Sequence, residues 1–231
     1  MENLDKQKPR LILAPMEGVI DTVMRDLLSS IGGYDRCITE FVRVSQTILP
    51  KKVFLRYAPE LARDGLTSNG TPVYLQLLGS DPELMAGNAA KAAALGALGI
   101  DLNFGCPAKT VNRSGGGAKL LKEPSLVAAI CKRVRNRVPK NIPVTAKIRL
   151  GFESILEFSQ ILNAFEEVGL SEITIHARTR NQGYRPPAHW HLLKAARERL
   201  PYPVIANGEL WTPPDVKRCA ELSGCTAFML A

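Results

Sequence analysis

Gly99-Ile100-Asp101-Leu102-Asn103-Phe104-Gly105-Cys106-Pro107 carries the sharpest chemical signal in the chain: an apolar strand ends in an asparagine and opens into a loop that presents a thiol. Gly105 frees the backbone before the cysteine, and Pro107 fixes φ and removes a donor after it, so Cys106 sits on a stiffened turn. A thiol with an ordinary pKa of about 8.5 is protonated at neutral pH yet able to release its proton, which suits a general acid. A nucleophile would need a neighbouring histidine or a helix N-terminus to lower that pKa, and the nearest histidine in sequence, His176, has another use. A buried structural cysteine is the plain alternative.

Other polar groups stand at the ends of predicted strands. Pro15, Met16 and Glu17 follow the first, Gln76 ends the third, Lys147 and Arg149 the fifth, His176 and Arg178 the sixth, and Asn207-Gly208-Glu209 the seventh. Together they suit a flavin, whose electronics a protein tunes by hydrogen bonds and a nearby charge. Backbone groups around Pro15, Met16 and Glu17 and the amide of Gln76 offer partners to the edge of an isoalloxazine ring. Lys147 offers a cation near its pyrimidine end, where negative charge gathers on reduction. Arg178, Asn207 and Gly208 are placed to reach ribityl and phosphate oxygens, because the last loops of a barrel are a common phosphate grip. For Lys147 the alternative is a salt bridge sealing the interior, although lysine is rarely buried without a task.

The elements that would position these groups alternate along the chain. Apolar, β-rich runs at Arg10–Ala14, Asp35–Thr39, Pro72–Leu77, Gly99–Asn103, Ile142–Ile148, Glu172–His176, Pro203–Ala206 and Thr226–Leu230 predict eight strands. Helical periodicity over Pro82–Leu98, Pro124–Val138, Ile155–Val168, Trp190–Leu200 and Pro213–Leu222 separates them, often with a proline in the first turn. Repeated βα units imply parallel strands with right-handed crossovers, and eight of them imply an α/β fold of the (β/α)8 TIM-barrel type. Residues 1–9 read as a polar extension and residues 10–231 as one catalytic barrel domain. The sequence stops at Ala231, at the end of the eighth predicted strand. The expectation is a fragment of a longer protein, with the last helix absent and an apolar groove left where it would pack.

At 231 residues and 45% hydrophobic, one substantial core is affordable in a single domain. No stretch approaches the roughly 18 uncharged apolar residues of a membrane span, and no signal peptide opens the chain, so a cytoplasmic monomer without a membrane partner is expected. Five cysteines without a Cys-x-x-Cys pair argue for reduced thiols rather than disulfides or a zinc ribbon. His189-Trp190-His191 lacks further ligands at metal spacing, so no metal is expected. The formal charge of +8 and pI near 9.4 would draw an anionic polymer such as RNA. Arg133, Arg135, Arg137 and Lys140 read instead as the solvated face and end of one helix. The Gly115-Gly116-Gly117 run reads either as a lid that swings the thiol or as a helix-start loop needing unusual φ.

Six ordered motifs resemble those of the tRNA-dihydrouridine synthases: Ala14-Pro15-Met16-Glu17-Gly18, Gln76-Leu77-Leu78-Gly79, Asp101 to Pro107, Lys147-Ile148-Arg149-Leu150-Gly151, His176-Ala177-Arg178-Thr179 and Ile205-Ala206-Asn207-Gly208-Glu209. Thr39 to Val44 and Lys109 to Ala118 are most similar to the bacterial C-type subfamily, which modifies the uridine at position 16 of the tRNA D-loop. The resemblance implies an FMN-dependent reduction of uridine with NADPH or NADH as electron source, the flavin hydride going to C6 of the uracil and Cys106 protonating C5. It implies that Pro15, Met16, Glu17, Gln76, Lys147, His176, Asn207, Gly208 and Glu209 hold FMN and that Arg43 and Asn103 contact the RNA. Lys109, Arg113 and Arg178, with Arg180 and Arg185, are the rim cations expected to hold the tRNA backbone while the base is turned out of its stack. The Gly-Arg-Gly that the family carries after strand eight has no complete counterpart, and its C-terminal helical domain has none, so weak RNA binding and little or no turnover are expected of the 231-residue form. Two alternatives are a flavin barrel acting on a free pyrimidine and a catalytically silent RNA-binding barrel.

Overall fold

A computed structural model describes residues 8–231. Nine strands form one sheet: β1 (Arg10–Leu13), β2 (Arg36–Ile38), β3 (Val42–Arg43), β4 (Val73–Leu78), β5 (Ile100–Asn103), β6 (Val144–Arg149), β7 (Glu172–His176), β8 (Val204–Asn207) and β9 (Ala227–Leu230). Every strand pairing is parallel, β1 pairs with β9, and β2 pairs with both β1 and β4, so the sheet closes. β3 pairs with β4 two turns of pleat above β2, at Val42↔Leu77, so β2 and β3 are two pieces of one interrupted barrel strand. The barrel therefore has the eight staves expected from the sequence, seven of them within a residue or two of their predicted bounds; the second runs on past the predicted Thr39 through β3 to Arg43.

Helices α1 (Thr22–Ile31), α2 (Lys51–Tyr57), α3 (Pro82–Ala94), α4 (Lys109–Arg113), α5 (Pro124–Arg137), α6 (Phe158–Phe165), α7 (Leu193–Arg199) and α8 (Pro213–Ser223) fill the crossovers. Their starts are written in the sequence. Asp81 accepts from Leu84 N–H ahead of Pro82, and Thr212 and Asp215 form a reciprocal capping box ahead of Pro213. At the far end of α5, Arg135 donates to the carbonyls of Val138, Pro139 and Ile142, while Arg133 pairs with Glu83 of α3. The basic cluster thus closes and braces one helix, as its position suggested.

The main core lies between sheet and helices, where Ile100, Leu102, Ile130, Val134, Ile148 and Ile173 are among the side chains fully excluded from water. Each such burial stabilises by roughly 1.5–3 kcal/mol. Inside the barrel a smaller apolar layer of Ile12, Ile38, Ile205, Ala227 and Met229 fills the lower half. Beneath it Glu172 pairs with both Arg10 and Arg36, and the Arg36 guanidinium lies 4.3 Å from the centroid of the Tyr74 ring, closing the N-terminal mouth. The opposite mouth stays open. Outside β1 and β9, an apolar groove of about 460 Å³ runs past Leu11, Val216, Phe228 and Leu230.

Candidate active site

A cavity of about 810 Å³ occupies the C-terminal mouth of the barrel, the face where barrel chemistry is carried. Strand alternation sends Asn103, Lys147, His176 and Asn207 to one side of the sheet: Asn103 pairs with Lys147, and His176 with Asn207 two residues further along, since Lys147 itself pairs with Thr174. Pro15, Met16, Glu17, Asn103, Cys106, Lys109, Lys147, His176, Arg178, Asn207, Gly208 and Glu209 all line this space. Thiol and ammonium, far apart in sequence, open on one cavity.

Lys147 is half-buried at the cavity floor, and its Nζ donates to Asn207 Oδ1 at 2.9 Å. Among the described residues no carboxylate lies within ion-pair distance of it, which removes the salt-bridge alternative. Burial and then the Arg149 guanidinium lower its pKa to about 7, with Asp101 opposing. An unfolded lysine titrates near 10.4, so between about pH 7 and 10 the unfolded chain binds more protons and stability rises with pH. Below pH 7 the cost of the buried charge is fully present. Lys147→Met is accordingly expected to raise the melting temperature of the ligand-free chain at pH 6 by roughly 5–10 °C. Differential scanning calorimetry should show that gain shrinking toward pH 10.

Cys106 is partly exposed, whereas Cys37, Cys131, Cys219 and Cys225 are buried. Burial raises its pKa, with Glu17 adding to the shift and the Ala108 amide, Arg149 and Arg43 opposing it. It therefore stays a thiol at neutral pH. Its loop is held from every side. Asn103 Oδ1 accepts from Gly105 N–H at 3.0 Å and Cys106 N–H at 2.9 Å, and Arg149 Nε donates to Gly105 O at 2.8 Å. Asn112 Nδ2 and Ala118 N–H both donate to Cys106 O. Gly117 has φ +62° and a Cβ there would stand 2.8 Å from Cys106 O, so only glycine fits against the thiol loop. The glycine run has the geometry of a helix-start loop, closing α4 and opening the following 3₁₀ turn.

Across the cavity, His176 and Arg178 are 5% and 2% exposed. Burial, then Arg149, Lys147 and Arg178, hold His176 neutral well below its usual range. Its Nδ1 and the Nε of Arg178 have no hydrogen-bond partner among the described residues, and buried polar atoms of this kind require an explanation. Gly208, at φ +105°, approaches the His176 ring so closely that a Cβ would stand 3.2 Å from it. Two orphaned nitrogens beside a backbone stripped of its side chain make a cradle for an anion such as a phosphate.

The structure relocates some expected site residues. Gln76 does not line the cavity: it is fully buried beneath it, with its amide spent on Asp101 and Asn103. Arg178, expected among the rim cations, is buried and ion-paired with Glu209 at 2.8 Å. Arg43 and Arg113 stand exposed outside the cavity, Arg43 within 3.3 Å of Ser114. Arg185 is exposed as well and donates to the carbonyls of Asn181 and Gln182. His189 lies 2.8 Å from the Gln182 amide, and Trp190 Nε1 donates to Gly208 O, so the His-Trp-His stretch braces the seventh strand's loop. Sequence reasoning missed Tyr184, which is 70% exposed on the cavity wall, 5.3 Å from Arg149 and edge-on to His176. An aromatic inside the Asn181 to Pro187 loop had no periodicity to mark it.

Solved structures that share the barrel include two oxidoreductases by name. Histamine dehydrogenase from Rhizobium sp. 4-9 superposes with a TM-score of 0.71 at 15% identity, over 96% of this chain and 43% of that one. Morphinone reductase in complex with tetrahydroNAD superposes with a TM-score of 0.67 at 10% identity, over 96% of this chain and 82% of that one. In sequence, the chain is 54% identical to the tRNA-dihydrouridine(16) synthase of Shewanella oneidensis over 221 residues, covering 96% of this chain and 70% of the relative. It is 53% identical to the enzyme of that name from Aquipseudomonas alcaligenes, with the same coverage, and 50% identical to that of Neisseria meningitidis serogroup B, covering 99% and 68%. The Dihydrouridine synthase (Dus) family model matches residues 12–231, the barrel from within β1 to its last strand, and the chain belongs to that family.

Proposed function

We propose that this chain binds FMN in the barrel mouth and reduces uridine 16 of the tRNA D-loop to 5,6-dihydrouridine, drawing electrons from NADPH or NADH. The observation that carries the reading is one cavity shared by a protonated, partly exposed thiol and a desolvated lysine, in a chain half identical to synthases of that name. The donor set fits the cofactor: orphaned His176 and Arg178 nitrogens and the Gly208 backbone suit a phosphate, and Lys147 suits the electron-rich edge of the ring. When bound, FMN supplies the hydride that is added to C6 of the uracil.

Cys106 completes the reduction. Its Sγ–H bond breaks as a C–H bond forms at C5, and the thiolate left behind recovers a proton from solvent. Arg149 and Asn103 hold the loop that carries the thiol. Lys147, protonated against the acceptor atoms of the ring edge, would meet the negative charge that gathers there on reduction, where a charged hydrogen bond is worth more than a neutral one. Lys109 at the cavity edge and Arg43 and Arg113 outside it offer cations to the tRNA backbone while the base is turned out. The barrel belongs in the cytoplasm with its substrate, and no helix among the described residues is long and apolar enough to cross a membrane.

The test is direct. The chain purified from cells grown with riboflavin should carry yellow, near-equimolar FMN. Held in excess over tRNA, so that weak binding and slow turnover do not limit the readout, it should also restore the two-hydrogen mass gain at position 16 in tRNA from cells lacking their own synthase for that site. Colourless protein at full folding would overturn the cofactor assignment, and flavin-loaded protein that leaves position 16 unreduced would overturn the substrate.

A further inference from the structure

Beneath the thiol loop a chain of three side chains runs through the barrel interior. Asp101 Oδ2 accepts from Gln76 Nε2 at 2.7 Å, Gln76 Oε1 accepts from Asn103 Nδ2 at 2.8 Å, and Asn103 Oδ1 accepts from the N–H groups of Gly105 and Cys106. Asp101 is 1% exposed, Gln76 is fully buried and Asn103 is 7% exposed. Thr145 donates to the other carboxylate oxygen, from the register position opposite Asp101 on β6.

The direction of every bond in this chain is forced. Backbone N–H groups can only donate, so the oxygen of Asn103 must face the thiol loop and its NH₂ must face Gln76. Gln76 must then present oxygen to Asn103 and NH₂ to the far side. A group that accepts is required there, and a carboxylate accepts only. Desolvation raises the pKa of Asp101, yet the burial is tolerated because both oxygens are bonded.

We infer that Asp101 is a positioning residue for the thiol: by locking the amide of Gln76, and through it that of Asn103, it holds the backbone of Gly105 and Cys106 and so aims Cys106 Sγ into the cavity. This rests on the reading of Cys106 as the proton donor, but it assigns Asp101 and Gln76 a different task from holding cofactor or RNA. With the amide chain reversed, Asn103 would turn NH₂ toward two backbone donors, and the loop would lose both hydrogen bonds that fix it. Asp101 touches no reacting group; it acts through two others.

Reversing the polarity of the pair tests this on the ligand-free chain, by the rate of Cys106 alkylation with iodoacetamide at pH 8, read by peptide mass spectrometry. Gln76→Glu sets two carboxylates face to face and is expected to change the Cys106 rate at least fivefold. Asp101→Asn in that background restores a donor opposite an acceptor and should return the rate to within about twofold of the parent. Asp101→Asn alone, which can still accept from Gln76 while donating to Thr145, should stay near the parent rate. The four buried cysteines report general loosening: their labelling must stay flat in all variants.

An unchanged rate in Gln76→Glu, no recovery in the double variant, or a parallel rise at all five cysteines would overturn the inference. If Gln76→Glu alone fails to fold, recovery of a cooperative melting transition in the double variant is the same rescue, and its absence the same refutation. None of these readouts uses FMN or tRNA, so they stand apart from the proposed activity.

Discussion

Cys106→Ala is expected to abolish dihydrouridine formation, by about 10²–10⁴-fold, while leaving reduction of bound FMN by NADPH within about twofold of the parent rate. The separation follows from where the thiol stands. It lies on the β5 loop, and Lys147, His176 and Gly208, the groups fitted to the cofactor, reach the cavity from β6, β7 and the β8 loop. A single-turnover experiment reads the two halves apart: flavin bleaching under anaerobic NADPH, then recolouring on addition of tRNA. Equal losses in both halves would mean that the thiol serves the cofactor rather than the base. Cys106→Ser keeps a hydroxyl in place but donates a proton far less readily, so it should fall close to alanine.

FMN affinity should weaken as pH rises from 7 to 9, approaching tenfold per pH unit, and Lys147→Met should remove that dependence. In the ligand-free chain Lys147 titrates at about 7, so above that pH it is largely neutral. The acceptor atoms of the ring edge favour its protonated form, and binding above pH 7 must therefore take up a proton, which lowers the apparent affinity as protons become scarce. The other groups that face Lys147 do not copy this profile: Arg149 keeps its charge throughout, and Cys106 is shifted upward. At pH 7 the methionine variant should bind FMN about 10–100-fold more weakly, the worth of one charged hydrogen bond. Fluorescence quenching of FMN across the pH range measures both. A flat profile in the parent chain, or the same slope in Lys147→Met, would place the lysine away from the bound cofactor.

The barrel was legible because its strands are buried on both faces and so read as continuous apolar runs. β3 escaped notice, since two residues carry no period. α1 escaped for a different reason: it buries Arg25 and Ser29 and exposes Val23, Leu27 and Ile31, the reverse of an ordinary amphipathic helix. Arg25 is affordable inside because Glu60, beyond α2 in the chain, accepts from its Nε and Nη2. Nothing local announces that partner.

By itself the order of residues determined the eight-stave barrel, the mouth at which Cys106, Lys147, His176 and Asn207 gather, and the family to which those motifs belong. Strand ends are local features, and parallel alternation carries them to one face whatever the details of packing. Only the tertiary structure decided how deep each polar group lies and what it touches. Gln76 and Arg178 look like equal members of the site in sequence, yet the first sinks beneath the floor and the second is paired with Glu209 inside it. Depth depends on barrel tilt and on neighbours contributed by other strands, which is also why the polarity running from Asp101 to the thiol could not be seen before the strands were set side by side.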